Sequence, residues 1–214
     1  MTTAPRALLL DYAGVLTGPV GPAFAAFERA NDIPEGRCFA LLIEAATDAD
    51  GGLIGAIERG ELTVQAFDDE LRSLLEADGL RSPAGSLLAG LFAQLHPGGE
   101  LWAATARLRS TGVRTGLVSN SWGTELYPRA ALDDHFDEVV ISGEVGLRKP
   151  DPAIFTLACA RLEVAPEETV FVDDLAANVA AARRVGMRAI HHTGDGAVTV
   201  GALSATFGVD LGPS

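Results

Sequence analysis

The segment LLLDYAGVLTG, residues 8–18, carries the first strong structural signal in the chain. An apolar run ends at Asp11, and a turn that contains Gly14 follows it. A continuous apolar run of this kind predicts a strand buried on both faces of a parallel sheet. A carboxylate at the end of such a strand is well placed for chemistry, and Ala13 stands two residues later, where a second acid could assist it.

Four further strand-like runs follow, and helix-like runs alternate with them. The strands are RTGLVSN (114–120), EVVIS (138–142), TVFVDD (169–174) and RAIHHT (188–193). The helices between them are GELWAATARLRSTG, TELYPRAAL, PAIFTLACARL and AANVAAARRVG. This alternation predicts an α/β fold, with a doubly wound, Rossmann-like parallel sheet covered by helices on both faces.

The region directly after the first strand has a different, helical pattern. The run TVQAFDDELRSLLEADG repeats apolar residues at helical spacing and ends at Gly79. We therefore predict that residues 18–96 form a helical cap domain inserted after the first strand. Residues 1–17 and 97–214 then form the α/β core.

Composition limits the partners that we expect. The formal net charge of −13 argues against a nucleic-acid or anionic-membrane partner, because both require a basic face. The first apolar run is too short to span a membrane, and Cys38 and Cys159 are far apart and without metal-type spacing. These features favour a cytoplasmic protein with a small-molecule substrate. No pattern in the sequence distinguishes a monomer from a homodimer.

Polar residues gather at the predicted carboxyl ends of the strands. Because ligands bind at these ends in doubly wound sheets, we expect the side chains to meet. Three carboxylates would repel one another without positive charge among them, and Lys149, the only lysine in the chain, and a divalent cation can supply it. All-oxygen ligation favours Mg²⁺. The strand-end residues concerned are Asp11, Ser119, Asn120, Asp173 and Asp174.

This set of groups suits phosphoryl transfer. Asp11 would attack phosphorus and form an aspartyl-phosphate. Mg²⁺, Lys149 and Ser119 would neutralise and orient the phosphoryl oxygens. In the loop GLRKPDP, Asp151 is expected to cap the following helix, which Pro152 would start.

Four ordered segments resemble the motifs of the haloacid dehalogenase-like hydrolase superfamily. They are DYAGVLTG, LVSNSW, GLRKPDPAIF and VFVDDLAANVAAARRVGM, and the predicted helical insert lies where one type of cap domain lies in that superfamily. The chain is most similar to the phosphatase-like branch that includes the N-terminal domain of soluble epoxide hydrolase. The resemblance implies a capped α/β hydrolase, most readily a Mg²⁺-dependent phosphatase.

The resemblance also implies a role for each matching residue. Asp11 would be the nucleophile and a metal ligand, and the backbone carbonyl of Ala13 would reach the metal. Asp174 would be the direct carboxylate ligand, with Asp173 as an outer-shell or salt-bridge partner. Ser119 and Asn120 would bind the transferring group, and Lys149 would pair with Asp11 and the phosphoryl oxygens.

Ala13 departs from the pattern of the superfamily's phosphatases, which usually carry Asp at this position. That Asp protonates the leaving oxygen and then activates water, help that is typically worth about 10²–10⁴-fold. Three interpretations follow for a chain with Ala13. The protein is a phosphohydrolase restricted to good leaving groups, a dehalogenase-type hydrolase, or a non-catalytic or very weak binding protein with the same fold.

Overall fold

The computed structural model describes residues 4–45 and 51–212. The described residues form a five-stranded sheet in the order β3-β2-β1-β4-β5, and the paired strands are parallel. The chain starts in the central strand, extends to one edge and then crosses to the other. The predicted doubly wound α/β class is thus confirmed. The strands are β1 (Ala7–Leu10), β2 (Arg114–Ser119), β3 (Glu138–Ile141), β4 (Thr169–Asp173) and β5 (Arg188–His191).

Helices surround this sheet. Between β1 and β2 lie α1 (Val20–Ala30), α2 (Arg37–Ala45), α3 (Gly52–Glu58), α4 (Val64–Ala77), α5 (Leu87–Phe92) and α6 (Gly99–Ser110). Beyond β2 lie α7 (Arg129–His135), α8 (Ser142–Val145), α9 (Pro152–Leu162), α10 (Ala176–Arg184) and α11 (Gly196–Phe207). Among the described residues we find no helix whose length and hydropathy would let it span a bilayer.

Each face of the sheet has its own hydrophobic core. Successive residues of β1 point to opposite faces, so Leu8 and Leu10 join one cluster and Ala7 and Leu9 the other. Residues of α6 and α11 complete the first cluster, and residues of α9 and α10 complete the second. Because β1 is buried on both faces, every one of its residues is apolar, which is the pattern that predicted this strand.

Helices α1 to α5 belong to a segment with a separate core, which we call the helical segment (residues 18–45 and 51–96). Its buried cluster includes Phe24, Phe27, Phe67 and Leu71. Residues 46–50 of the predicted cap domain lie outside the described residues. The two connections to the sheet run side by side, because Thr17 forms an antiparallel bridge with Pro97.

Local signals explain where two of the helices begin. The Asp151 side chain accepts a hydrogen bond from the Ala153 N–H and Pro152 is the first residue of α9, so this predicted helix start is confirmed. The run TELYPRAAL, predicted as one helix, is instead a 3₁₀ turn at Thr124–Leu126 followed by α7. Pro128 precedes α7 and cannot donate a backbone hydrogen bond, which separates the two elements and leaves Tyr127 between them.

Candidate active site

The predicted site residues lie at one edge of the sheet. Asp11 follows β1, Ser119 ends β2, and Asp173 ends β4. Because β1 lies between β2 and β4 in a parallel sheet, the carboxyl ends of all three strands are adjacent. The sheet order therefore brings together residues that are far apart in the sequence.

Lys149 forms the centre of this group. Its Nζ lies 2.7 Å from Asp11 Oδ1 and 2.7 Å from Asp173 Oδ2, and the residue is only 1% exposed. Burial alone would lower the pKa of the ammonium, but the charges and hydrogen bonds of Asp11 and Asp173 together raise it above its usual value. One buried positive charge thus lies between two carboxylates.

The pKa of the Asp11 carboxyl is also perturbed. Burial raises it to about 7, the attraction of Lys149 opposes this rise, and the charge of Asp173 adds to it. Asp11 Oδ1 also accepts a hydrogen bond from the Tyr12 N–H at 2.7 Å. A poorly solvated carboxylate held by one of its oxygens is suited to act as a nucleophile through the other.

Asp173 is fully engaged in hydrogen bonds and in the ion pair. Its Oδ1 accepts from the Leu175 N–H at 2.8 Å, and the Asn178 amide reaches Oδ1 at 3.0 Å and Oδ2 at 3.1 Å. With Lys149 on Oδ2, both oxygens are occupied, so Asp173 fixes the ammonium in place. Asn178 was not identified from the sequence, although it lies five residues after Asp173 in the first turn of α10.

The acidic residues present fit a divalent cation. Asp11, Asp173 and Asp174 each offer an oxygen, and these oxygens lie within 4.8 Å of one another. Burial is the main cause that raises the pKa of Asp174, followed by the charge of Asp173. Gly14, with φ +81°, lies against Asp174, where a Cβ atom would collide with the Asp174 Oδ2. A hard cation such as Mg²⁺ prefers oxygen ligands of this kind.

Asn120 holds the loop that carries Lys149. Its Nδ2 donates to the Lys149 carbonyl at 3.0 Å, and its Oδ1 accepts from the Lys149 N–H at 2.8 Å. The amide predicted to bind substrate is therefore used largely to position the lysine.

The Ser119 hydroxyl is paired with Tyr127, which was missed at the sequence level. The Ser119 Oγ and Tyr127 OH lie 2.8 Å apart, and the Tyr127 OH also lies 3.2 Å from the Asn120 carbonyl. Burial is the main cause that raises the pKa of this phenol, so it stays protonated. The unpredicted break before α7 places Tyr127 here, and no motif in the sequence marks it.

A cavity of about 560 Å³ opens between these groups and the helical segment. Asp11, Ala13, Lys149 and Asp174 line it from the core, and Glu28 and Glu35 line it from the helical segment. Glu58 of α3 also lines it, although no motif in the sequence singled out this residue. Apolar side chains cover much of the remaining wall: Val20, Phe24, Phe39, Leu91, Phe92, Leu95, Trp122 and Leu175.

Comparisons with known proteins identify several relatives of the chain. Acyl-CoA dehydrogenase family member 10 of Mus musculus is 30% identical over 193 residues, which are 86% of this chain and 18% of that protein. Bifunctional epoxide hydrolase 2 of Mus musculus is 30% identical over 208 residues, 89% of this chain and 37% of that protein. Phosphoserine phosphatase of Thermus thermophilus is 38% identical over 127 residues, 55% of this chain and 50% of that protein. The chain therefore spans half or less of each of these relatives.

Solved structures share the fold. A HAD family enzyme from Bacteroides thetaiotaomicron superposes with a TM-score of 0.68 at 21% identity, over 90% of this chain and 95% of that one. A dehalogenase superposes with a TM-score of 0.61 at 23% identity, over 90% of this chain and 87% of that one. A family model described as a haloacid dehalogenase-like hydrolase matches residues 5–186. The chain therefore belongs to the haloacid dehalogenase-like hydrolases.

Proposed function

We propose that the protein is a Mg²⁺-dependent phosphohydrolase that acts on a small phosphorylated metabolite through an aspartyl-phosphate on Asp11. The observation that carries this proposal is the buried cluster in which Lys149 lies 2.7 Å from both Asp11 and Asp173, with Asp174 beside them. An ammonium and a nucleophilic carboxylate that line a cavity are groups that phosphoryl transfer requires.

The first chemical step forms one bond and breaks another. The Asp11 carboxylate attacks phosphorus, and the bond between phosphorus and the leaving oxygen breaks. Lys149 and Ser119 bind the phosphoryl oxygens, while Asn120 keeps the Lys149 loop in register. In the second step, water attacks phosphorus, and Asp11 is released as a carboxylate together with inorganic phosphate.

Asp11, Asp174 and the backbone carbonyl of Ala13 would hold the metal. When bound, Mg²⁺ supplies charge neutralisation at the phosphoryl oxygens. Asp173 serves better as the partner of Lys149, because both of its oxygens already have donors. Among the structural relatives, the HAD family enzyme from Bacteroides thetaiotaomicron is described in complex with magnesium and inorganic phosphate, so these are the first ligands to test.

The cavity favours a substrate with an apolar body. Aromatic and aliphatic side chains from the helical segment and the loop after β2 line much of it. We propose that the helical segment is a cap domain that covers the bound substrate and excludes water. The buried free cysteines Cys38 and Cys159 support a reducing, cytoplasmic location. We propose that the protein acts as a monomer or a homodimer.

Ala13 restricts the substrates to those with good leaving groups. An aryl, an acyl and an alkyl phosphate, compared with Mg²⁺ present, test this. Activity should fall steeply as the leaving group becomes more basic, and Ala13→Asp should raise activity on the alkyl phosphate by about 10²-fold or more. Equal rates on the three substrates would contradict the restriction, and turnover by Asp11→Asn would contradict the assignment of the nucleophile.

Two other functions remain distinguishable by experiment. Ala13 also favours a binding protein without catalysis, for which Mg²⁺ and phosphate would bind and none of the three phosphates would be hydrolysed. The structural similarity to a dehalogenase suggests a hydrolase that acts on a bond other than a phosphoryl bond as the second alternative. Halide release from 2-haloacids without added metal would identify that activity.

A further inference from the structure

Glu58 is a buried carboxylate of the helical segment that the proposed mechanism leaves without a role. It is the last residue of α3, it is 8% exposed, and it lines the same cavity as Asp11 and Ala13. A buried ionisable group that lines a reaction cavity is a candidate for a functional role.

The backbone around Glu58 is fixed by contacts that do not involve its carboxylate. The Ser142 Oγ at the start of α8 donates to the Glu58 carbonyl and accepts from the Ser121 N–H at 2.8 Å. Two residues on, Gly60 packs so closely against the Gly143 backbone that a Cβ atom would collide with it. The end of α3 is thus seated on the carboxyl edge of the sheet, beside the reaction cavity.

The side chain of Glu58 has polar partners from two core loops. The Arg148 guanidinium lies 3.2 Å from Oε2, and the Trp122 indole N–H donates to Oε1 at 3.3 Å. Burial is the main cause that raises the pKa of Glu58, while the charges of Arg148 and Lys149 and hydrogen bonds from Trp122 and Asn120 oppose the rise. Glu58 is therefore an ionisable carboxylate of increased basicity beside two cations.

We propose that Glu58 is the general base that activates the water for hydrolysis of the Asp11 phosphate, the task that Ala13 cannot perform. This inference rests on the proposed function. In an in-line displacement, water must approach phosphorus on the side opposite to the Asp11 oxygen. Asp11 lines the cavity from the core and Glu58 lines it from the helical segment, so the proposal places the attacking water between these two residues.

The step balances as a simple hydrolysis. Glu58 takes one proton from water, the water oxygen bonds to phosphorus, and the bond between phosphorus and the Asp11 oxygen breaks. Asp11 is released as a carboxylate, and Glu58 then returns its proton to solvent. The first step needs no base, so Glu58 leaves the restriction to good leaving groups unchanged.

Rapid-mixing kinetics with an aryl phosphate test the proposal. In Glu58→Gln, which keeps an oxygen for the Trp122 N–H, we expect a burst of about one aryl alcohol per enzyme, followed by turnover about 10²-fold or more below wild type. The burst rate should stay close to the wild-type rate, and acid quenching should trap phosphate on the protein. Glu61→Gln, an exposed neighbour paired with Arg59, is the matched control and should behave as wild type.

The outcomes separate this proposal from the proposed function. Adding Ala13→Asp to Glu58→Gln should restore turnover, which a merely structural loss would not allow. Unchanged turnover in Glu58→Gln, or loss of turnover together with the burst, overturns the role of Glu58 alone. Absence of any turnover in wild type overturns both proposals. If Glu58→Gln does not fold, Glu58→Asp should slow turnover at least tenfold with the burst retained, and an unchanged rate overturns the proposal.

Discussion

Removing the Lys149 ammonium provides the most direct test of the buried cluster. In Lys149→Met the apolar stem is retained, while the charge between Asp11 and Asp173 is lost. Breaking a buried ion pair by removing one partner costs about 3–5 kcal/mol, because the remaining charge is left without compensation. Here two carboxylates lose the same partner, so we expect a loss at or above the lower end of that range. This is a large part of the roughly 5–15 kcal/mol that stabilises a typical domain.

The loss should depend on pH in a defined direction. Burial raises the pKa of Asp11 from 3.8 to about 7 in the folded protein, so ionising Asp11 costs stability as the pH rises from about 4 to about 7. Without Lys149 this pKa rises further, and the added cost appears above pH 7. The difference between Lys149→Met and wild type should therefore be larger at pH 8 than at pH 5.

Equilibrium urea unfolding, followed by far-ultraviolet circular dichroism, measures this difference, provided that the slope against urea is unchanged. Arg6→Met is the control, because the Arg6 side chain is 62% exposed in its ion pair with Glu168 and should contribute less than about 1 kcal/mol. Lys149→Arg should also destabilise, since a guanidinium needs more room than the 1% exposed ammonium has. A loss in Lys149→Met no greater than that of the control would refute the reasoning.

Three further predictions concern the metal site and the cysteines. Mg²⁺ at about 100 times its dissociation constant should stabilise wild type by about 2.7 kcal/mol, measured as a rise in the thermal unfolding midpoint. This rise should vanish in Asp174→Asn. Gly14→Ala should destabilise the protein by about 1–3 kcal/mol and weaken Mg²⁺ binding in calorimetry, because its φ is +81° and the added Cβ would meet Asp174. Gly201→Ala in α11 is the control and should do neither, because a Cβ there has nothing within 4 Å. At pH 8 a disulfide reagent should leave both thiols of the native protein unreacted and modify both in urea, because burial raises the pKa of Cys38 to about 12 and also raises that of Cys159.

The sequence was sufficient for the sheet and for the family. The apolar run before Asp11 predicted a strand buried on both faces, and β1 is indeed the central strand of the sheet. The strand-end rule then predicted that Asp11 and Asp173 would meet, and the need for a positive charge between carboxylates predicted that Lys149 would join them; the distances agree with this grouping. The fold class and the family are confirmed, while the domain boundaries and the roles of the site residues stay predictions.

What the sequence could not provide depends on tertiary contacts. Asn120 stood in a motif that implied substrate binding, but its amide is paired with the Lys149 backbone. Tyr127 reaches Ser119 only because the chain breaks before α7. Glu58 lies at the end of a short helix that carries no sequence motif, and it lines the cavity because α3 packs on α8. Periodicity describes each helix alone and contains no information on how the helical segment packs against the sheet.

The proposed roles of Asp11 and Glu58 divide the reaction between two parts of the chain. Asp11 and Lys149 belong to the sheet edge, so phosphoryl transfer to Asp11 requires only that the substrate reach that edge. Glu58 belongs to the helical segment, whose two connections are joined by the bridge between Thr17 and Pro97. Hydrolysis then requires that the end of α3 be seated on α8, as it is here. An acid at position 13 would keep both steps on the sheet edge, whereas under this proposal Ala13 would make release of phosphate depend on the position of the helical segment.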